Sequence, residues 1–198
     1  MLTKNEHLKL RAIDVLDERI ERRIMPVGEL LPKVTIKTFA GDELPISDFH
    51  QDRPLLIAFM RASWCPYCRA QMEMLNGMAE TFKELGCEMV AISREEPEES
   101  SFTSEHVTLV TDMGNDFGKA LGMTYFATEE ITAIYQDLGI EGPVEGYFDT
   151  SELNVPATYI VDQGEGRILY KHAKRDYTQR ATGSEIIREL SRINQTTP

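Results

Sequence analysis

The sequence predicts an α/β fold in which a central mixed sheet is flanked by helices. Residues 55–60 are apolar at every position, which is typical of a strand buried on both faces of a sheet. A helical pattern and then a second apolar run, residues 87–93, follow; strand, helix and strand in this order form a crossover that makes the two strands parallel. Residues 157–162 and 167–171 are separated by a glycine-containing turn and indicate an antiparallel hairpin. Parallel and antiparallel pairs together predict a mixed sheet.

The first element is predicted to be one charged amphipathic helix over residues 3–24. Thr3 and Glu6 fit a capping box, and Pro26 ends the pattern. Apolar residues recur every fourth position, at Leu8, Ala12, Leu16, Ile20 and Ile24. We therefore assign residues 1–26 to an N-terminal helical extension, which covers apolar surface of the following domain or of a second subunit.

The following domain, residues 27–198, has an orderly series of predicted elements. Residues 34–39 and 44–49 flank a Gly-Asp turn and indicate a hairpin-like entry. The helix that follows Cys68 has apolar residues at spacings of three and four and ends at Gly86. The elements predicted between and after these are a loop at 94–105, a strand at 107–112, a short helix at 115–121, and a C-terminal helix with a capping box at Thr182 and Glu185.

An insertion is predicted at about residues 123–153, before the strand at 157–162. Thr128 can begin a helix there. The positions predicted to form loops are Gly139, Gly142, Pro143 and Gly146.

Composition and charge restrict the possible partners and compartment. The chain has 198 residues, 41% of them hydrophobic and 27% charged, and a formal net charge of -12. That charge disfavours nucleic acid, whose phosphates require clustered Lys and Arg. No apolar run approaches the roughly 20 residues that span a bilayer. The N-terminus is too polar for a secretory signal, so we expect a cytoplasmic protein without a membrane partner.

The segment Trp64-Cys65-Pro66-Tyr67-Cys68 carries the chemistry. Two thiols three positions apart can close a small disulfide ring, and here they lie between a buried strand and a helix. Three cysteines in total are too few for a disulfide-stapled secreted scaffold, so a paired motif indicates catalysis or metal binding. Pro66 suits the first turn of the helix, where its missing N–H leaves no hydrogen bond unmade.

We assign Cys65 as the nucleophile and Cys68 as the resolving thiol. At the first helical turn, Cys65 is close to unpaired backbone N–H groups and the positive end of the helix dipole, which favour a thiolate. Arg61 and Arg69 are near enough in sequence to add positive charge. Such features lower the pKa of a thiol into the range of about 3.5–7.5. Cys68, one turn later, is expected to be the more buried of the two.

Two structural alternatives compete with a redox role. The cysteines could supply half of a tetrahedral zinc site, but only Cys87 and four scattered histidines are left to complete it, so no metal or other cofactor is expected. They could also be ordinary buried cysteines, which the exposed position expected at a strand-to-helix junction disfavours. Cys87 begins a buried strand and is expected to behave as a small hydrophobic residue.

Val155-Pro156 is the second candidate element of the site. A proline immediately before a strand cannot donate to a ladder and marks a strand start or a special turn. Together with the upstream thiols it suggests a cis-proline loop that faces them and offers open backbone groups to an extended substrate segment.

The sequence resembles the thioredoxin-fold superfamily and, within it, the peroxiredoxin-like proteins of the alkyl hydroperoxide reductase/thiol-specific antioxidant (AhpC/TSA) group. The resemblance covers roughly residues 27–195 and rests on residues 61–68, residues 154–162 and the tail at 176–181. It implies a thioredoxin-like fold, a redox-active Cys65–Cys68 centre with Trp64 and Tyr67 beside it, an antioxidant or disulfide-exchange activity, and a thioredoxin- or glutathione-type reductant. A homodimer is a further possibility.

The sequence departs from typical peroxiredoxins at both peroxide-polarising positions. Such proteins carry Pro-x-x-x-Thr-x-x-Cys, whereas Ala62 and Ala58 lie three and seven positions before Cys65. Pro156 stands near the place where they carry an arginine. The residues that could substitute for the missing groups are Arg61, Ser63, Arg175 and Arg180.

Three functions therefore remain open. The leading hypothesis is a thiol–disulfide oxidoreductase that uses Cys65 and Cys68 on a disulfide substrate. The second is a thiol peroxidase in which Cys65 passes through sulfenic acid. The third is a redox-responsive binding protein that holds a partner with the N-terminal helix or with the insertion.

Overall fold

A seven-stranded mixed sheet forms the centre of the fold. The structure is a computed structural model, and it describes residues 2–17, 19–139 and 152–196. The strands are β1 Thr35–Thr38, β2 Glu43–Pro45, β3 Leu55–Phe59, β4 Glu88–Ser93, β5 Thr108–Thr111, β6 Thr124–Phe126, β7 Glu152–Asn154, β8 Ala157–Val161 and β9 Ile168–Ala173. The strand order in the large sheet is β2-β1-β5-β4-β3-β8-β9, and a separate two-stranded sheet pairs β6 with β7. The helices are α1 Lys4–Val15, α2 Ile20–Arg23, α3 Pro66–Gly77, α4 Ala79–Glu84, α5 Asp116–Ala120, α6 Glu129–Asp137 and α7 Gly183–Thr196.

The pairing of the strands confirms the predicted mixed sheet. β3 runs parallel to β4, and β4 parallel to β5, as the crossover through α3 and α4 requires. β8 is antiparallel to β3 and forms the expected hairpin with β9. All five residues of β3 are buried, because helices cover both faces of the sheet at its centre.

The two faces of β3 support two different parts of the core. Leu55, Ile57 and Phe59 pack with residues of α2, α5 and β8 on one face. Leu56 and Ala58 point to the other face, where α3, α4 and α7 pack and where the two thiols of the motif lie. The alternation of side chains along a strand therefore places the motif on the α3 face of the sheet.

A third apolar cluster joins the N-terminal helix to the insertion. Its buried members are Ala12, Leu16, Ala127, Ile131, Ile134, Tyr135, Leu153 and Tyr177, and Trp64 and Tyr67 pack against it. An exposed ion pair, Arg11 Nη2 to Glu130 Oε1 at 2.8 Å, also links α1 to α6. This cluster, which we call the cover, lies against the Cys-Pro-Tyr-Cys segment. The assignment of residues 1–26 to a separate extension stays a prediction.

The structure corrects the single helix predicted over residues 3–24. The capping box of Thr3 and Glu6 is present, but α1 ends at Val15 and a second helix begins at Ile20. The Asp17 side chain accepts the N–H of Arg19 at 2.9 Å, a local hydrogen bond that competes with the helix. The chain turns between the two helices, and Leu16 and Ile20 both remain buried.

Smaller differences concern element ends. The strand predicted at 44–49 stops at Pro45, and Ile46–Phe49 forms a 3-10 helix instead. The helix after Cys68 breaks between Gly77 and Ala79, and Gly86, at φ +72, follows its end as expected. In the insertion, Thr128 caps α6 through its side chain as predicted. The loops predicted at Gly142, Pro143 and Gly146 lie outside the described residues, whereas Gly139, just after α6, has the left-handed φ of +68.

Within the described residues, no helix is both long enough and apolar enough to cross a bilayer. The same part of the chain contains no group of three histidine, cysteine or acidic side chains arranged to hold a metal ion.

Candidate active site

Cys65 is the N-cap residue of α3, directly after the loop that leaves β3. Its backbone is extended, with φ -80 and ψ 117, and Pro66 begins the helix. The Cys65 carbonyl accepts the N–H groups of Cys68 and Arg69 at 3.0 Å each, which closes the first turn. Cys68 therefore lies one turn into the helix, and both thiols are free.

Both thiols are fully buried, and this corrects the expectation of an exposed nucleophile. Cys65 and Cys68 are each 0% exposed. Sequence proximity to a strand end suggested access to solvent, but the cover adds a further layer of side chains above the motif. Trp64 and Tyr67 pack against that layer. Pro66, between the two cysteines, is the exposed residue of the motif.

Arg61 is the residue that makes the environment of Cys65 unusual. Its side chain is buried, and its Nη2 donates to Cys65 Sγ at 3.1 Å. Its Nη1 donates to the Tyr135 hydroxyl at 2.6 Å. The guanidinium carbon also lies 4.2 Å from the ring centroid of Tyr177 and 5.0 Å from that of Trp64. Aromatic faces attract such a cation, but they do not neutralise its charge.

Among the described residues in contact with Arg61, Cys65 is the group that can become an anion at neutral pH. No carboxylate forms an ion pair with Arg61 in the described part of the chain. A buried and unpaired charge is costly, so the thiolate form of Cys65 compensates the guanidinium. The positive charge thus lies where the nucleophile needs it.

Cys68 has its own set of donors. The backbone N–H of Arg61 points to Cys68 Sγ at 3.3 Å, and Arg180 Nη2 lies 3.4 Å from the same sulfur. Arg180 Nη1 donates to Gln71 Oε1 at 2.8 Å, and Gln71 Nε2 donates to Thr158 Oγ1 at 2.9 Å. This chain of hydrogen bonds connects Cys68 to β8 through α3.

The two thiols have opposite acidities. Burial acts to raise the pKa of Cys65, but hydrogen bonding to Cys68 and the charges of Arg61 and Arg180 outweigh it and hold that pKa well below its usual value. For Cys68, burial and the adjacent Cys65 thiolate raise the pKa well above its usual value. This asymmetry agrees with the prediction that Cys65 is the nucleophile and that Cys68 stays protonated until the second step.

We expect the alkylation rate of Cys65 to stay nearly constant between pH 9 and pH 7. The thiolate is the reactive form, and a lowered pKa keeps it populated at lower pH, whereas an ordinary thiol loses about tenfold per unit below roughly pH 8.5. Iodoacetamide labelling followed by peptide mass spectrometry measures the rate at each cysteine. A tenfold fall per unit across this range would contradict the lowered pKa.

Cys87 provides the internal reference in that experiment. Burial raises its pKa to about 12, and its Sγ donates to the Glu88 carbonyl. We therefore expect no labelling of Cys87 in the folded protein over the same pH range, in agreement with its predicted role as a small hydrophobic residue.

The other candidate residues are distributed differently from what the sequence suggested. Arg69 does not reach the thiols; its Nη1 donates to the carbonyls of Ser63 and Trp64. Arg175 donates to the carbonyls of Ile13 and Leu16 and thereby ties α1 to the tail.

Val155 does not offer the open backbone group that was expected. Its N–H donates to the Met123 carbonyl at 2.8 Å, and its side chain packs on the face of the sheet opposite to the thiols. Pro156 is buried and precedes Ala157, which pairs with Phe59 at the end of β3. The segment thus lies at the correct end of the sheet, but the Val155 N–H is already occupied.

Tyr135 and Gln71 were not among the predicted site residues. Tyr135 lies on the insertion helix α6, and no local pattern connects it to a motif so far away in sequence. Gln71 is a buried polar residue on an otherwise apolar face of α3, and this interruption of the apolar pattern was the feature of the sequence that could have indicated it. Arg180 was among the possible substitutes for the missing arginine, and it reaches Cys68, not Cys65.

Ser63 has a structural partner of its own. Its N–H and hydroxyl both donate to the buried Glu95 carboxylate, at 2.7 and 2.6 Å. These hydrogen bonds hold the loop between β3 and α3 in place, and they leave Ser63 unavailable to a substrate oxygen.

Comparisons with known proteins agree with this geometry. Residues 27–171 match the model of the AhpC/TSA family. The chain is 31% identical over 100 residues to the chloroplastic peroxiredoxin Q of Populus jackii, an alignment covering 48% of this chain and 46% of that protein. It is 26% identical over 148 residues to the thiol:disulfide interchange protein DsbE of Pasteurella multocida strain Pm70, covering 74% and 66%. The chain thus spans about half to two thirds of the length of these relatives.

The fold also resembles that of a solved structure. A crystal structure of a mutant of peroxiredoxin 6 from Arenicola marina superposes with a TM-score of 0.67 at 16% identity, over 87% of this chain and 74% of that one. This likeness confirms the thioredoxin-like α/β fold predicted from the sequence. Because the family model matches well over half of the residues, the chain belongs to the AhpC/TSA family.

Proposed function

We propose that the protein is a thiol–disulfide oxidoreductase whose reactive centre is the Cys65–Cys68 dithiol. The Cys65 thiolate attacks one sulfur of a disulfide RS–SR′, forms the mixed disulfide Cys65–S–SR and releases R′S⁻. Cys68 then loses its proton, attacks the Cys65 sulfur, and releases RS⁻ as the Cys65–Cys68 disulfide forms. The observation that carries this proposal is the contact of buried Arg61 with Cys65 at 3.1 Å.

The burial of the thiols adds a requirement to this function. A substrate sulfur must approach Cys65 closely, and the cover of α1, α6 and Tyr177 occupies that space. We infer that the cover moves during the reaction and that a substrate too large to pass beneath it reacts slowly.

We further propose a thioredoxin- or glutathione-type reductant, because a dithiol that has reduced its substrate must itself be reduced by another thiol. A reducing compartment supplies such thiols, in agreement with the cytoplasmic location predicted from the sequence. A homodimer stays a prediction.

Oxidised glutathione tests the proposal directly. Mixed with the reduced protein, it is expected to yield a product lighter by two hydrogens, with Cys65 joined to Cys68 in the peptide map. Cys87 serves as the unreacted control because it is buried beside β4. Recovery of both thiols free after prolonged incubation would contradict the exchange reaction.

A peroxidase is the second candidate, and the Arg61 donor favours it. A guanidinium N–H this close to the nucleophile can hold a peroxide oxygen and stabilise the charge that develops on it. The Cys65 thiolate would take one oxygen from ROOH, which leaves ROH and the Cys65 sulfenate. The sulfenate, with one proton from solvent, would then condense with the Cys68 thiol to form the Cys65–Cys68 disulfide and release water.

Stopped-flow oxidation separates the two candidates. Ala62 and Pro156 stand at the positions where typical peroxiredoxins carry the peroxide-polarising threonine and arginine, so we expect hydrogen peroxide to oxidise the reduced protein only at the rate of an ordinary thiolate. A rate far above that of a free thiolate would favour the peroxidase instead.

A further inference from the structure

A second arginine, Arg180, contacts the second thiol of the motif. Its Nη2 lies 3.4 Å from Cys68 Sγ, while Arg61 Nη2 lies 3.1 Å from Cys65 Sγ. Each sulfur of the dithiol thus has a guanidinium of its own. The role of Arg61 follows from the lowered pKa of Cys65, to which the charge of Arg180 also contributes. Cys68 is held as a neutral thiol, so in the reduced state the guanidinium of Arg180 has no thiolate to stabilise at the sulfur that it contacts.

The charges of the site change when the first step occurs. In the reduced protein the Cys65 thiolate opposes ionisation of Cys68 and accepts a hydrogen bond from it. Once Cys65 is bound in a mixed disulfide, its charge and that hydrogen bond are both lost. Arg61 and Arg180 remain, and both favour a thiolate at Cys68. In the described part of the chain, the titratable or charged groups that act on Cys68 are Cys65, Arg61 and Arg180.

We propose that Arg180 is a catalytic residue of the second step, an inference that rests on the proposed function. Arg180 stabilises the Cys68 thiolate only after Cys65 has formed the mixed disulfide. The Cys68 thiol gives its proton to solvent, and its sulfur attacks Cys65 and expels RS⁻. Arg61 and the backbone N–H that points to Cys68 Sγ at 3.3 Å assist the same thiolate. Arg61 therefore contacts the sulfur that reacts first, and Arg180 contacts the sulfur that reacts second.

The surroundings of Arg180 hold it in this position without neutralising it. Its Nε donates to the Tyr177 carbonyl at 2.8 Å and its Nη1 to Gln71 Oε1 at 2.8 Å. Both acceptors are neutral oxygens, so the charge of the guanidinium stays available to the sulfur. Gln71 is buried and is itself fixed by Thr158, which makes Gln71 and Thr158 positioning residues.

The reaction with 4,4′-dithiodipyridine resolves the two steps, in a Cys87→Ala background that removes the third thiol. Attack by Cys65 releases one equivalent of 4-thiopyridone, and attack by Cys68 releases a second. We expect Arg180→Gln to slow the second release by about tenfold, because loss of the guanidinium raises the pKa of Cys68 and the greater nucleophilicity of the more basic thiolate offsets only part of the lost ionisation. The first release should change by less than about threefold, because Arg61 is the nearer cation to Cys65.

Two further variants distinguish charge from structure. Arg188→Gln removes an equal charge from an exposed position on α7 and should leave both releases unchanged. Arg180→Lys keeps the charge but not the planar fork, and it should recover most of the second rate. The pH midpoint of the second release should rise in Arg180→Gln and not in Arg188→Gln.

The opposite results would overturn the proposal. If Arg180 only holds the Tyr177 carbonyl, Arg180→Lys will not rescue, and the first release will slow because Tyr177 packs on Arg61. An unchanged second release in Arg180→Gln would also refute it. Release of one equivalent or none by the Cys87→Ala parent would instead contradict the proposed dithiol exchange itself.

Discussion

Replacing Cys65 with serine is expected to abolish disulfide reduction, with a loss on the order of 1,000-fold or more in turnover. A serine hydroxyl remains protonated next to Arg61, so no anion is available to attack sulfur. The reduction of insulin disulfides, with dithiothreitol as the electron source, measures the loss. Full activity of Cys65→Ser would refute the assignment of the nucleophile.

Cys68→Ser is the matched variant, because it differs at the other sulfur of the same turn. We expect it to attack a disulfide through Cys65 and to stop there, since no resolving thiol remains. With oxidised glutathione the product should carry one glutathionyl group on Cys65, as seen by mass spectrometry. A redox-responsive binding protein predicts a different outcome: little turnover of the unmodified protein and a change in partner affinity when the disulfide forms.

The elements that the sequence predicted well are those whose signals are local. The uninterrupted apolar run at Leu55–Phe59 can only be satisfied by burial on both faces, and it forms the centre of the sheet. Thr3, Thr128 and Thr182 each precede a helix and bind its first turn, as short-range capping patterns require. The Cys-Pro-Tyr-Cys segment begins a helix after a strand because Pro66 suits the first helical turn; Cys65, the N-cap residue, makes no side-chain hydrogen bond to that turn.

The environment of the thiols could not be predicted from the sequence, because it depends on contacts between distant segments. Tyr135 reaches Arg61 from the insertion, and Tyr177 reaches it from the tail after β9. The burial of Cys65 results from a layer built by α1 and α6, whose amphipathic patterns indicate an apolar face but not what that face covers. The sequence therefore showed that arginines lie near the motif, but not which of them contacts a sulfur. Arg61 contacts the Cys65 thiol, and Arg69 does not.

The second large effect is expected from Arg61→Met. A thiol with the ordinary pKa of about 8.5 is only about 0.3% ionised at pH 6. The greater nucleophilicity of a more basic thiolate returns roughly a factor of ten, so we expect Cys65 alkylation at pH 6 to slow on the order of 30-fold. Above pH 9 the difference should vanish or reverse, because Cys65 is then largely ionised in the variant as well as in the parent. Iodoacetamide labelling at a series of pH values measures the crossing.

A measurement of the stability of Arg61→Met distinguishes the loss of the Cys65 thiolate from unfolding of the variant. Methionine approximates the volume of the arginine stem, and apolar replacement of a buried charge is often neutral or stabilising when its partner can become neutral, as Cys65 does by taking up a proton. We therefore expect Arg61→Met to remain folded, with a circular dichroism spectrum and a melting temperature close to those of the parent.

Arg69→Gln is the control for charge alone, since Arg69 lies four residues after Cys65, as Arg61 lies four before it, and donates to carbonyls of the same loop. We expect its pH profile to follow the parent closely. Equal slowing in both variants would mean that the net charge of the loop, not the 3.1 Å contact of Arg61 with sulfur, determines the reactivity of Cys65. Slowing confined to Arg61→Met, and confined to low pH, would identify that contact as the cause of the thiolate, because a packing defect would act at every pH.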